Sequence, residues 1–143
     1  MQSVIIRKKL LVVEDCVSDI FLLERMLCNS SDDDLEIIGA PRLIDAFQHI
    51  DDEYFDAILL DLNLLDMDGI ASVAALAAQA PDTPILVYSG MDSRPLREGA
   101  LLCGAKAYLV KGQEDGRSLR RAIDEAITSR LPPPLHASEE IRP

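Results

Sequence analysis

Short apolar runs alternate along the chain with segments whose apolar residues recur at helical spacing. Five runs have the length and composition of buried strands, and they cover residues 9–13, 35–39, 54–60, 85–88 and 107–110. A segment of three- and four-residue apolar spacing follows each run, as is typical of amphipathic helices. The clearest such stripe closes the series: Leu119, Ala122, Ile123, Ala126 and Ile127. The pattern therefore predicts five strands, each followed by a helix.

Capping residues and helix breakers indicate where these helices begin and end. Ser18 or Asp19 can cap the first helix, and Pro41 suits the start of the second. The third helix is predicted over residues 70–80, and the fourth over residues 95–102.

Strands that alternate with helices indicate a parallel sheet with helices on both faces. Right-handed crossovers leave few topologies, and the flavodoxin-like strand order 2-1-3-4-5 is the expected one. We therefore predict a single α/β domain over residues 9–130, a common size for one domain. An N-terminal extension, 1–8, precedes it, and a proline-rich tail or start of a linker, 131–143, follows.

Composition excludes several classes of protein. The net charge of −11 argues against binding nucleic acid or an anionic membrane surface, because both require a positive patch. No apolar run reaches the length of a membrane span, and the first residues do not form a signal peptide. Cys16, Cys28 and Cys103 form no CxxC pair, so we expect reduced thiols in a cytoplasmic protein.

Polar residues that can do chemistry are found where the predicted strands end. The first strand is followed by Glu14 and Asp15, the third by Asp61, the fourth by Ser89 and the fifth by Lys111. Each could separately be an ordinary turn or surface residue. However, the carboxyl ends of parallel strands share one edge of a sheet, where ligands bind. We therefore predict one crevice with three carboxylates, a hydroxyl and an ammonium.

Carboxylates gathered in one crevice repel each other, and a hard divalent cation such as Mg²⁺ would compensate them. An aspartate beside such an ion can attack a phosphoryl group and form an aspartyl-phosphate. Phosphoryl transfer depends mainly on positioning and charge neutralisation. Lys111 can contact the transferred group as a point charge, and Ser89 can donate a hydrogen bond to one of its oxygens.

Four motifs occur in the order LLVVED, DAILLDLNLLDMDG, VYSG and GAKAYLVKG. Together they resemble the response-regulator receiver domains of two-component signalling, over about residues 9–130. In that family a histidine kinase, or a phosphotransfer protein, supplies a phosphoryl group that the receiver transfers to its own aspartate. The resemblance implies a phosphorylation-dependent switch with weak self-phosphorylation and autodephosphorylation activity, rather than a dedicated enzyme.

The resemblance also implies roles for individual residues. Glu14 and Asp15 match the acidic metal-binding pair, and Asp61 matches the phosphoacceptor, which is also a metal ligand. Asn63 matches the position whose backbone carbonyl binds the metal. Lys111 matches the lysine that contacts the phosphoryl group.

Two further positions match the conformational switch of the family. Ser89 matches the switch hydroxyl and Tyr108 the switch aromatic. Phosphorylation should draw Ser89 toward the phosphoryl group, and Tyr108 should then move inward. The surface expected to change is made by the fourth helix, the fifth strand and the fifth helix. It would bind an output domain or a second copy of the chain.

Three positions depart from the family pattern. Leu65 and Gly112 stand where proline is common, and Gly90 stands where alanine is common. The proline after the lysine is held cis in the family, whereas cis bonds at other residues are costly. The change leaves open whether the peptide bond between Lys111 and Gly112 is cis.

Two alternative interpretations come from other classes of protein. A receiver-like interaction module would act without phosphorylation, although the complete set of charged and hydroxyl residues argues against it. A flavodoxin-like flavin or nucleotide protein would need a glycine-rich phosphate loop, and none follows the first strand.

Overall fold

The computed structural model describes residues 7–28, 34–64 and 69–129. Its five strands are β1 (Lys8–Val13), β2 (Leu35–Ala40), β3 (Ala57–Leu60), β4 (Ile85–Ser89) and β5 (Ala107–Val110). Its five helices are α1 (Val17–Leu27), α2 (Leu43–Asp52), α3 (Gly69–Gln79), α4 (Arg94–Leu102) and α5 (Gly116–Ser129). Every strand pair is parallel, and the order is β2-β1-β3-β4-β5. The predicted flavodoxin-like fold is confirmed.

The core lies in two layers, one on each face of the sheet. Successive strand residues point to opposite faces, so Leu11 and Val13 of β1 join the layer under α2, α3 and α4. Leu10 and Val12 join the layer under α1 and α5. Because both faces are covered, β3 and β4 are buried along their whole length, and so are the last four residues of β1. Burying each leucine contributes about 1.5–3 kcal/mol.

The start of α5 is specified by both a cap and a close contact. The Ser118 N–H donates to Asp115 Oδ1 at 2.8 Å, and the Asp115 N–H donates in return to Ser118 Oγ at 3.1 Å. A Cβ on Gly116 would overlap the carbonyl oxygen of Met26 in α1. The absence of a side chain at Gly116 therefore lets α5 approach α1 closely.

The start of α1 differs from the prediction. The helix begins at Val17 with Cys16 as its N-cap, and no side chain caps it. The prediction that Ser18 or Asp19 caps the helix is therefore wrong. Asp19 lies in the first turn, where the helix dipole favours a carboxylate, and its side chain contacts Lys111 instead.

The third strand is shorter than the predicted range of 54–60. It begins at Ala57, and the side chain of Tyr54 is exposed. Before Ala57 the chain is held by a side chain, because Asp56 Oδ2 accepts from the Lys9 N–H at 2.8 Å. The apolar run therefore included loop residues that precede the sheet.

The remaining strand and helix limits agree with the predictions to within one or two residues. The cap of α4, like that of α5, was not foreseen: the hydroxyl of Ser93 accepts from the Leu96 N–H at 3.3 Å and so begins the helix. β1 starts at Lys8, inside the predicted N-terminal extension. Leu65 and the predicted tail, 131–143, lie outside the described residues. No helix among the described residues is long and apolar enough to cross a membrane.

Candidate functional site

Backbone hydrogen bonds hold Glu14 and Asp61 at the carboxyl edge of the sheet. The Glu14 N–H donates to the carbonyl of Ala40 at 3.0 Å, and the Asp61 N–H donates to the carbonyl of Val13 at 3.0 Å. Both bonds continue the strand pairing by one residue. The two residues are buried, with only 3 % of Glu14 and 7 % of Asp61 exposed. Buried carboxylates are costly unless they are paired, so this edge requires a cation.

Lys111 supplies a cation to both carboxylates. Its N–H donates to the carbonyl of Ser89 at 2.8 Å, which extends the pairing of β4 with β5. Its Nζ lies 2.7 Å from Glu14 Oε1 and 3.3 Å from Asp61 Oδ2. The ammonium of Lys111, which follows β5, therefore joins the carboxylates that follow β1 and β3, although the three residues are far apart in the sequence.

Burial and charge shift the proton affinities at this edge. Burial raises the pKa of Glu14 to about 7, and the charge of Asp61 acts in the same direction, although the hydrogen bond from Lys111 opposes both. Burial lowers the pKa of Lys111, but its hydrogen bond to Glu14 and the charge of Asp61 outweigh this and raise it. Lys111 therefore stays charged, while Glu14 keeps its proton to a higher pH than an ordinary glutamate.

The acidic residues predicted to bind a metal come together in the structure. One carboxylate oxygen from each of Glu14, Asp15 and Asp61 lies within 4.8 Å of the others. Oxygen donors of this kind suit Mg²⁺, a hard cation. Asn63 lies beside them, because its N–H donates to Asp61 Oδ1 at 3.1 Å. The donor set therefore fits a divalent cation on chemical grounds.

The predicted switch residues are joined through Met91 in the loop between β4 and α4. Ser89 Oγ accepts from the Met91 N–H at 3.1 Å, and the Tyr108 hydroxyl donates to the Met91 carbonyl at 2.7 Å. The guanidinium of Arg97 lies 5.0 Å from the centroid of the Tyr108 ring. Tyr108 is buried, and its hydrogen bond to the Met91 carbonyl holds its hydroxyl beside the loop that follows β4.

Sequence reasoning missed two neighbours of Lys111. Asp19 Oδ2 lies 3.4 Å from Lys111 Nζ, although the sequence suggested only a helix cap at that position. The Tyr88 ring centroid lies 5.8 Å from the same nitrogen. Strand alternation could have placed Tyr88 on the side of α1 and α5, opposite its neighbour Val87.

Gly112 explains one departure from the family pattern. Its φ of 89° lies in the left-handed region, whereas proline is restricted to a φ near −65°. A proline could not adopt this backbone conformation. No cis peptide bond occurs within residues 7–28, 34–64 and 69–129, so the bond between Lys111 and Gly112 is trans.

Comparison with known proteins identifies the class that this fold and site define. The model of the response regulator receiver domain matches residues 10–124, which is most of the chain. The chain therefore belongs to the response regulator receiver domain family of two-component signalling. Receiver domains of this family act with histidine kinases and output domains, and they bind Mg²⁺ in their acidic site.

Relatives and solved structures agree with this assignment. The chain is 35 % identical over 86 residues to the transcriptional regulatory protein YhcZ of Bacillus subtilis, covering 59 % of this chain and 40 % of that protein. It is 27 % identical over 119 residues to the chemotaxis protein CheY of Listeria monocytogenes, covering 82 % of this chain and 97 % of CheY.

A solved structure adds a metal-bound comparison. The fold is similar to the receiver domain of the sensor histidine kinase PA1611 from Pseudomonas aeruginosa, with a TM-score of 0.73 and 25 % identity. The match covers 86 % of this chain and 99 % of that one, and that structure has a magnesium ion coordinated in its active site cleft.

The chain spans less than half of the length of the transcriptional regulators that it matches, 40 % of YhcZ and 26 % of ZraR from Salmonella typhimurium.

Proposed function

We propose that this receiver domain is a phosphorylation-dependent switch that accepts a phosphoryl group on Asp61 from a histidine kinase or a phosphotransfer protein. The observation that carries the proposal is the convergence of Asp61, Glu14, Asp15 and Lys111 at one edge of the sheet. A nucleophilic carboxylate, further acidic residues and a fixed ammonium are the groups that phosphoryl transfer to an aspartate requires.

The two oxygens of the Asp61 carboxylate have different partners. Oδ1 accepts the N–H of Asn63, which fixes the plane of the carboxylate, and Oδ2 lies 3.3 Å from Lys111 Nζ. In the transfer, a carboxylate oxygen forms a bond to phosphorus while the bond from phosphorus to the donor's imidazole nitrogen breaks. The electron pair of that bond stays on the imidazole. Lys111 would offset the charge on the oxygens of the transferred group.

Glu14, Asp15, Asp61 and the backbone carbonyl of Asn63 would hold Mg²⁺ in this proposal. A bound Mg²⁺ would supply positive charge to the phosphoryl oxygens. The ligands must be deprotonated to bind a metal, so the raised pKa of Glu14 makes metal binding weaker as the pH falls through 7.

The switch would operate through Met91. If the Ser89 hydroxyl donates to a phosphoryl oxygen and moves toward it, the hydrogen bond from the Met91 N–H weakens. The Met91 carbonyl holds the Tyr108 hydroxyl, so the change would pass to β5 and α4. Leu102 near the end of α4 is 87 % exposed, and it offers an apolar contact for an output domain or a second copy.

Labelling with a small acyl phosphate in the presence of Mg²⁺ tests the proposal. Intact mass measurement should show one added phosphoryl group on the parent protein and none on Asp61→Asn. Asp51→Asn is a matched control, because it removes an exposed carboxylate of α2 that accepts a hydrogen bond from Gln79. Undiminished labelling of Asp61→Asn would place the acceptor elsewhere. An unlabelled parent would favour an interaction module that acts without phosphorylation.

A further inference from the structure

Asp19 places a third carboxylate on the Lys111 ammonium. Its Oδ2 lies 3.4 Å from Nζ, almost as close as Asp61 Oδ2 at 3.3 Å. Asp19 differs from the other two partners, Glu14 and Asp61, in its exposure, because 44 % of its side chain is exposed. It also lies outside the group of carboxylates that could hold a metal ion.

The other two partners of Lys111, Glu14 and Asp61, also belong to the group of carboxylates that could hold a metal ion. Glu14 and Asp61 are the carboxylates that Mg²⁺ and the phosphoryl group would engage, so a bound cation competes with the ammonium for the same two carboxylate groups. An ammonium that lost both partners would be a largely buried, unpaired charge, which is costly. Asp19 is not one of the metal-binding carboxylates, so it can stay paired with Lys111 when a metal ion binds.

The surroundings of the lysine allow it to move toward Asp19. A cavity of about 320 Å³ lies beside Lys111, and Asp19, Tyr88 and Leu22 are among the residues that line it. The Tyr88 ring, 5.8 Å from Nζ, presents an aromatic face to the cation on that side. The ammonium can therefore shift away from Glu14 without displacing packed side chains.

We propose that Asp19 is a positioning residue that retains Lys111 when the metal engages Glu14 and Asp61. It would thereby favour Mg²⁺ binding and keep the ammonium beside the phosphoryl group. The inference rests on the proposed function, because it assumes that this edge binds Mg²⁺.

A double-mutant cycle on Mg²⁺ affinity tests the inference. Calorimetric titration with MgCl₂ at matched ionic strength would compare the parent, Asp19→Asn, Lys111→Gln and the double variant. Because partly exposed charge pairs are weak, Asp19→Asn should raise the Kd for Mg²⁺ by about two- to fivefold in the parent. In the Lys111→Gln background the same change should have a clearly smaller effect, since no ammonium needs a partner.

Two control variants separate positioning from general charge effects. Asp19→Glu keeps a carboxylate at this position and should restore the affinity to within about twofold of the parent. Glu24→Gln removes an equal charge further along α1 and should leave the affinity unchanged. The melting temperature in chelator checks that each variant folds, and Asp19→Ser replaces Asp19→Asn if the latter does not.

The outcomes distinguish the inference from the proposed function. An equal loss in both backgrounds would show that Asp19 acts through its charge alone, and unchanged or tighter binding by Asp19→Asn would show that it does not retain the lysine. Either result overturns the inference and leaves the Mg²⁺ site in place. A parent protein that binds no Mg²⁺ would overturn the metal part of the proposed function, and the inference with it.

Discussion

Replacing Glu14 with glutamine should change how the stability of the metal-free protein depends on pH. Glu14 is almost fully buried, and its pKa is raised from 4.5 to about 7 by burial and by Asp61, against the opposing effect of Lys111. The folded protein therefore binds this proton more tightly than the unfolded chain does. The resulting stabilisation is fully present below pH 4.5 and is lost as the pH rises through 7.

The size of this effect follows from the two pKa values. A difference of about 2.5 pH units, at about 1.4 kcal/mol for each, sets an upper limit of about 3–4 kcal/mol on this stabilisation. Between pH 5.5 and pH 8.5 the parent should lose about 2 kcal/mol of the stabilisation that the Glu14 proton provides. For a domain of this size, that corresponds to about 4–8 °C in melting temperature. Glu14→Gln has no proton to release, so its free energy of unfolding should not show this decrease.

Urea denaturation followed by circular dichroism, in chelator and at matched ionic strength, measures the difference. The stability of Glu14→Gln relative to the parent should increase by about 2 kcal/mol between pH 5.5 and pH 8.5. Glu125→Gln, at an exposed position on α5, is the control and should follow the parent. Parallel curves for Glu14→Gln and the parent would refute the reasoning. If the parent instead becomes more stable relative to the variant as the pH rises, the attraction of Lys111 for the Glu14 carboxylate outweighs the effect of burial on its pKa.

Four other predictions test the site and its supports. Mg²⁺ at about 100 times its Kd should stabilise the parent by about 2.7 kcal/mol in calorimetry. Asp15→Ala should melt higher than the parent in chelator and lose the Mg²⁺ response, and a full response would exclude Asp15 as a ligand. Gly116→Ala should cost about 1–3 kcal/mol in urea denaturation, because a methyl group meets the Met26 carbonyl, and unchanged stability would contradict that contact. Tyr108→Phe should cost about 0.5–1.5 kcal/mol by losing the hydrogen bond to Met91, without slowing acyl-phosphate labelling, and slower labelling would tie the hydroxyl to the chemistry.

The sequence by itself determined the architecture and the residues of the candidate site. Continuous apolar runs are stable as strands only when helices cover both faces of a sheet, so the pattern and its order predicted the parallel topology. The carboxyl ends of parallel strands lie at one edge of the sheet. The polar residues that follow four of the strands, such as Asp61 and Lys111, could therefore be placed near each other from the sequence alone. The structure brings these residues together, while their roles in phosphoryl transfer and metal binding remain predictions for the labelling and titration experiments.

Other features depended on contacts between distant parts of the chain, which no local pattern records. Asp19 is an acceptable cap in sequence terms, but the tertiary structure brings Lys111 near it, and α1 begins without a side-chain cap. Met91 carries no chemical signal, yet its backbone joins Ser89 to Tyr108. In each case the deciding interaction joins side chains or backbone groups from different strands, loops and helices. Their geometry exists only once the sheet has assembled and the helices have packed against it.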